Sequence, residues 1–583
     1  MKKLTLPLAV LSATLATSLL QAQTFQVNTT ADTVDANPGD GVCADANGEC
    51  SLRAAIQEAN ALTSSNQIRI RLQPGACYML TLAGAGEDGA MTGDLDVAVD
   101  ILLDGRGAKL DANGLDRALD VLAGGALRVS RLHVTKGSVV AESGGAIRSA
   151  GSLKIVRSQV TMSSATGAGA SGGAIFNAGG LLQVRNCEMS GNHADRAGGA
   201  IEANAGDTSL RRSEFVDNDT GATPGNGGGL HLTGAGNVDV VDCTFEGNLA
   251  AREGGALWNS GSGTMTVNRC DIFANEATGI AAHDGGGGLF NDGGSMWVVS
   301  CNIWGNLATS GSGSGGGLFN NAGMMHIDAS TISNNISNRA GGGVEVVGGL
   351  TMLAATTMHA NATGSSPGNG GALHISGPGV VEVSRCRVIA NTAIAEGGGL
   401  WCSAVGTLTV HGSLIVDNIA SGDAADQGGG GLFNDGGTLD VSLCLIDGNV
   451  ADGASGSGGG ILNNAGELAV NHAWLRNNWS NRAGGGIEAN VGMTTVSRTY
   501  FLGNLTGNTP GNGGGLHLTG AGNVDVHRSI FLFNSADNEG GGLWNSSTGT
   551  MTATFTILFL NSSPIGPNAF NDGGTFLLNG NSI

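Results

Sequence analysis

The segment Thr223–Val240 reads TPGNGGGLHLTGAGNVDV, and the same eighteen letters return at Thr509–Val526. A near copy, PGNGGALHISGPGVVEV, runs from Pro367 to Val383, and Gly225, Gly368 and Gly511 are 143 residues apart each time. One globular core cannot hold three such copies, whereas a solenoid of stacked coils can. Outward from this segment, a Gly-Gly-(small)-apolar marker recurs from Ile147 and Ile175 through Leu230, Leu373 and Leu516 to a degenerate Ala569. From Ile175 to Leu318 the markers are spaced 26, 29, 27, 32 and 29 residues, and the same five spacings follow from Leu318 to Ile461. The superperiod is therefore five coils.

A second marker recurs once per coil, from Asn192, Asn218 and Asn248 to Asn534 and Asn561. Coils of this length hold two or three short strands, and equivalent residues stack at about 4.8 Å. Stacked Asn amides can bond to one another up the column, which satisfies groups that are costly to bury alone. Six cysteines (Cys187, Cys243, Cys270, Cys301, Cys386, Cys444) share one interior slot and are expected as buried thiols. The composition agrees: 103 glycines with only 9 prolines and 4% aromatics fit many tight turns between short strands.

Met1–Ala22 reads as a secretory leader, with Lys2 and Lys3 before the apolar Leu4–Leu20 and cleavage expected ahead of Gln23. No later stretch is long enough for a spanning helix. Removing the two lysines leaves 25 basic against 48 acidic residues, a balance that repels nucleic acid and leaves neutral polysaccharide, cations or a basic surface as partners. Cys43 and Cys50 bracket a polar loop, and an exported chain favours a disulfide between them. Ser51–Ala61 carries Leu52, Ala55, Ile56 and Ala59 at helical spacing, a short amphipathic cap with Ser51 as its N-cap. Asp35, Asn37 and Asp40 sit in a loop similar to oxygen-rich calcium loops, although its spacing carries an extra residue; a plain polar turn is the preferred reading and calcium the alternative. No other cofactor is expected.

Cys50-Ser51-Leu52-Arg53-Ala54-Ala55-Ile56 with Glu58-Ala59-Asn60 resembles the CSLREA-type N-terminal segment of secreted bacterial β-helix proteins, with Ala54 where that motif has Glu. Leu103–Ala108 resembles the opening coil of right-handed parallel β-helices, and Gly254-Gly255-Ala256-Leu257 with Phe245-Glu246-Gly247-Asn248 resembles polymorphic outer-membrane protein repeats. The resemblance implies an all-β, right-handed parallel β-helix solenoid with a short N-terminal capping helix. The expected organisation is a leader over 1–22, a cap over 23–75 and the solenoid over 76–583. Autotransporter relatives end in a membrane barrel, while this chain stops at Ile583 inside a repeat.

The residue after each marker is expected to face outward. That column reads Phe176, Glu202, His231, Trp258, Phe290, then Phe319, Glu345, His374, Trp401, Phe433, then Leu462, Glu488, His517, Trp544, Phe570. Glu, His and Trp on adjacent rungs would make three equivalent glycan sites, with aromatic faces for sugar rings. The competing reading, which we weight more heavily, is that duplication copied surface residues that stiffen the rod. His193, Arg252, His283 and Asp284 break the superperiod, their equivalents being Ile336, Ala395, Asp426 and Gln427; they are the better enzyme candidates, though drift after duplication explains them as well. The sequence thus predicts a secreted or cell-surface, adhesin-like protein that engages glycan, with a polysaccharide lyase or glycoside hydrolase as the alternative and a ligand-free stalk as a third reading.

Overall fold

The computed structural model describes residues 23–62 and 67–580, so the leader read at Met1–Ala22 lies outside the described residues. A typical coil contains four strands: Leu257–Asn259, Thr264–Asn268, Asp271–Phe273 and Glu276–Ala277. Each pairs in parallel with its equivalent one coil below and one above, so Leu257 sits between Leu230 and Leu289. The two-residue fourth strand, beyond the two or three expected, stacks into its own 14-stranded sheet. The first strand of the coil recurs on 18 rungs, from Leu95–Val97 to Ala569–Asn571. At about 4.8 Å per rung the stack is roughly 80 Å long.

The marker residues point inward and are buried from Ile147 to Leu543, with the degenerate Ala569 partly buried at the last rung. The Gly pair ahead of each marker has a steric cause. Gly254 adopts φ +65°, a left-handed turn, and a Cβ on Gly255 would lie 2.1 Å from the Gly287 carbonyl oxygen of the next coil. Larger residues there would push neighbouring coils apart.

The Asn column forms as expected. From Asn192 to Asn561, each Nδ2 donates to Oδ1 of the Asn one coil on, at 2.8–3.0 Å. A second, broken Asn file went unread in the sequence. It links Asn259 to Asn291 at 2.8 Å, Asn291 to Asn320 at 2.9 Å, and Asn434 to Asn463 at 2.8 Å. The six cysteines of the interior slot are buried free thiols. Burial pushes the Cys243 and Cys444 thiols up to about 11, which keeps them protonated and unreactive.

At the N-terminal end, Cys43 and Cys50 are disulfide-bonded. The helix spans Leu52–Ala61, and Ser51 Oγ accepts from the Ala54 amide at 3.0 Å. Its polar side is buried too. Arg53 pairs with Asp32 at 2.6 Å and donates to the carbonyls of Ala90, Gly93 and Asp94, while Glu58 accepts from the amides of Gly39 and Gly41. The helix is thus sandwiched between the coils and the loops folded over it. Parallel pairing starts at Thr24–Gln26, which lies against Ile68–Arg71. In the loop read as a polar turn or a calcium loop, Asp35 accepts from the amides of Asn37 and Ala44, and Asp40 accepts from the Val42 amide and Asn37 Nδ2.

Candidate functional site

Glu202 is the register partner of His231, and His231 of Trp258. The other two copies, Glu345, His374, Trp401 and Glu488, His517, Trp544, stack in the same way. The three residue types therefore lie in one file. Their expected exposure is corrected: all nine are buried, and even the Trp rings retain only 7–8% of their surface. Each His Nδ1 lies 2.8–2.9 Å from its Glu carboxylate. Each His ring stacks on the Trp of the next rung, with centroids 4.1–4.3 Å apart, and the other Trp face is covered by a Phe at 6.0–6.4 Å. The glycine-rich turn closes over the edge. Glu253, Glu396 and Glu539 each accept the indole N–H of their Trp at 3.0 Å, and Arg339 and Arg482 lie 3.6 and 3.5 Å from Glu345 and Glu488. Burial pushes the Glu253 and Glu396 carboxyls up to about 7. Both ring faces and the polar edge are already used, so no Trp face is open to a sugar.

The four residues that break the superperiod do not assemble into one site. His193 lies between Asp219 at 2.7 Å and Asp195 at 3.0 Å, and the bond to Asp219 leads in raising its pKa to about 9. Arg252 pairs with Asp284 at 2.8 Å, and His283 is exposed.

The open surface lies nearer the N-terminus. A cavity of about 910 Å³ runs across the coils there, lined by Arg106, Arg131, His133, Arg157, Glu188 and Arg212 among others. Arg131, Arg157, Asn186 and Arg212 occupy the same left-handed turn position on successive coils, with φ between +50° and +52°. Arg128, Lys154 and Arg185 extend the basic surface alongside. Among the described residues, no carboxylate lies within ion-pair distance of Arg106, Arg128, Lys154, Arg157 or Arg185, whereas Arg131 holds Asp104 at 2.8 Å. Sequence reading missed this face because basic residues 25–31 positions apart look scattered and the net charge of −21 conceals them.

This stretch of coils is also the part that known proteins identify. Residues 121–293 match the family described as the right handed beta helix region. No curated protein matches the chain. The β-helix match covers the groove coils from residue 121 on and the first Glu–His–Trp copy, while Arg106 lies ahead of it, and the same strand register continues beyond it to Ala569–Asn571.

A second polar cluster sits at the head of the β-helix. Traced backward, the Glu–His–Trp file runs through Phe176 and Arg148 to Asp120 and Asp96. One oxygen each from Asp94, Asp96 and Asp120 lies within 4.8 Å of the others, the one acid, His or Cys group among the described residues with metal-ligand spacing. Burial pushes Asp94 up to about 8 and Asp96 up to about 7. Among the described residues, no helix is long and apolar enough to cross a membrane.

Proposed function

We propose that this protein is an exported, surface-located glycan-binding β-helix, adhesin-like in design, whose ligand is an acidic polysaccharide lying along the N-terminal coils. The observation that carries this reading is the groove, where basic side chains recur at the rung spacing, Arg106, Arg128, Lys154, Arg157 and Arg185 among them without a carboxylate partner, on a chain that is otherwise strongly acidic. A linear polyanion laid parallel to the rod meets Arg131, Arg157 and Arg212 in turn, and guanidinium forks match carboxylate and sulfate geometry. Many weak contacts on a rigid frame add up without any one being strong. The buried Glu–His–Trp file serves as a stiffening spine.

Binding of a polyuronate and of a neutral glucan, compared at low and high salt, tests this. The polyuronate should bind in a salt-sensitive way, and the double variant Arg131→Ala, Arg157→Ala should weaken it by at least about tenfold. Equal binding of the neutral glucan, equal binding of duplex DNA, or an unchanged double variant would each overturn the reading.

A lyase or hydrolase is the second reading, favoured by Glu188 and Glu214, which are register partners in the wall of the same cavity alongside His133. It requires release of unsaturated or reducing ends that Glu188→Gln abolishes.

A further inference from the structure

The Asp94–Asp96–Asp120 cluster is short of positive charge. Asp94, Asp96, Asp116, Asp120 and Glu142 gather around only two guanidiniums, Arg117 and Arg148. Arg117 holds Asp94 Oδ2 at 3.0 Å and also pairs with Glu142, while Arg148 pairs with Asp120 Oδ2. Asp96 Oδ2 accepts from the Ala90 amide at 2.8 Å. That leaves Asp96 Oδ1, Asp116 Oδ2 and Asp120 Oδ1 buried without a hydrogen-bond partner, on residues 0%, 5% and 1% exposed. Buried carboxylate oxygens are satisfied by donors or by cations, and the unused donor among them, the buried Arg117 Nε, bonds to none of these oxygens.

We propose that Asp94, Asp96 and Asp120 bind one divalent cation, calcium by their chemistry. The donors are all carboxylate oxygen, which suits a hard ion and disfavours zinc or copper. An open cavity of about 400 Å³ lined by Glu87, Asp88, Asp120 and Glu142, with Arg117 and Arg148 among them, reaches the cluster and gives an entry path and room for water ligands. The ion would join three parts of the chain. Asp94 ends the loop that Arg53 of the capping helix grips, and Asp96 and Asp120 belong to the first two rungs of the file. Calcium would therefore fasten the cap to the solenoid.

Calorimetric titration of the chelator-treated full chain with calcium chloride tests this, together with hydrogen–deuterium exchange. One ion per chain is expected, with exchange slowed at Ala90–Val97 and Leu119–Val121. Asp96→Asn should weaken binding at least tenfold, while Asp440→Asn on a distant exposed rung should not. No binding of calcium, magnesium or manganese at millimolar concentration overturns the proposal, as does unchanged binding by Asp96→Asn. Should that variant not fold, the wild-type exchange pattern decides, and slowing elsewhere or nowhere sinks the site.

Discussion

The coils up to Arg212 and the coils beyond it share one fold and differ in how their polar groups are spent. Between Arg69 and Arg212 lie 15 of the 27 basic residues against 14 acidic ones, and beyond Arg212 only 9 basic residues meet 28 acidic ones. In the tandem body, each Glu of the buried file is closed on a His and each indole N–H on a turn Glu. In the N-terminal coils part of the arrangement stays open: Arg106, Arg128, Arg157 and Arg185 lack carboxylates, and Asp96 Oδ1 and Asp120 Oδ1 lack donors. Duplication multiplies what is self-sufficient. Most groups that need an outside partner, Arg106, Arg128, Lys154, Arg157, Asp96 and Asp120 among them, lie ahead of the duplicated coils that begin at Ile175.

Changes on the two sides of that divide should therefore behave in opposite ways. The largest effect is expected in the closed body. His374→Ala removes the His374 Nδ1 contact at 2.9 Å and leaves the Glu345 carboxylate buried beside Arg339 alone, which should cost about 3–5 kcal/mol in urea unfolding. Arg157→Ala on the open face should stay within about 0.5 kcal/mol. Equal costs would erase the distinction. A middle effect comes from Glu253. Its folded pKa of about 7 lies above its ordinary value, so the stability it contributes is complete below about pH 4.5 and fades as pH rises through 7. Glu253→Gln keeps an oxygen for Trp258, and the variant should gain on wild type by up to about 2 kcal/mol across that window, followed by thermal melting from pH 4 to 8. The smallest effect is at His193. Its pKa is raised to about 9, so its contribution is full below about pH 6.5 and lost as pH rises through 9. Installing the residue of the second copy, His193→Ile, should cost less than about 1 kcal/mol at pH 6 and nothing by pH 10, since the pair is partly exposed. A cost independent of pH would show that the ion pairs are irrelevant there.

Much of the architecture was legible because periodicity constrains it. The marker spacing predicts the register of Leu230, Leu257 and Leu289, and the Asn file, the Cys43–Cys50 bridge and the Leu52–Ala61 helix follow from local patterns. The burial of Trp258 was not legible. Alternation places it on the outer face of its strand, and only the fold of the preceding turn brings Glu253 over it. Asp96 and Asp120 escaped notice because Leu95-Asp96-Val97 and Leu119-Asp120-Val121 lack the Gly-Gly marker that identifies a rung elsewhere. The arginine face escaped because turn residues a coil apart have no shared local motif.

The Asn file has a direction. Every link from Asn192 to Asn561 donates toward the higher-numbered neighbour and none reverses. Amides aligned head to tail polarise one another, so a link in the middle is strengthened from both sides and a terminal link from one. The rod thereby acquires an electrical polarity independent of its charged residues, with the donor ends of the amides directed toward one tip and the acceptor ends toward the other.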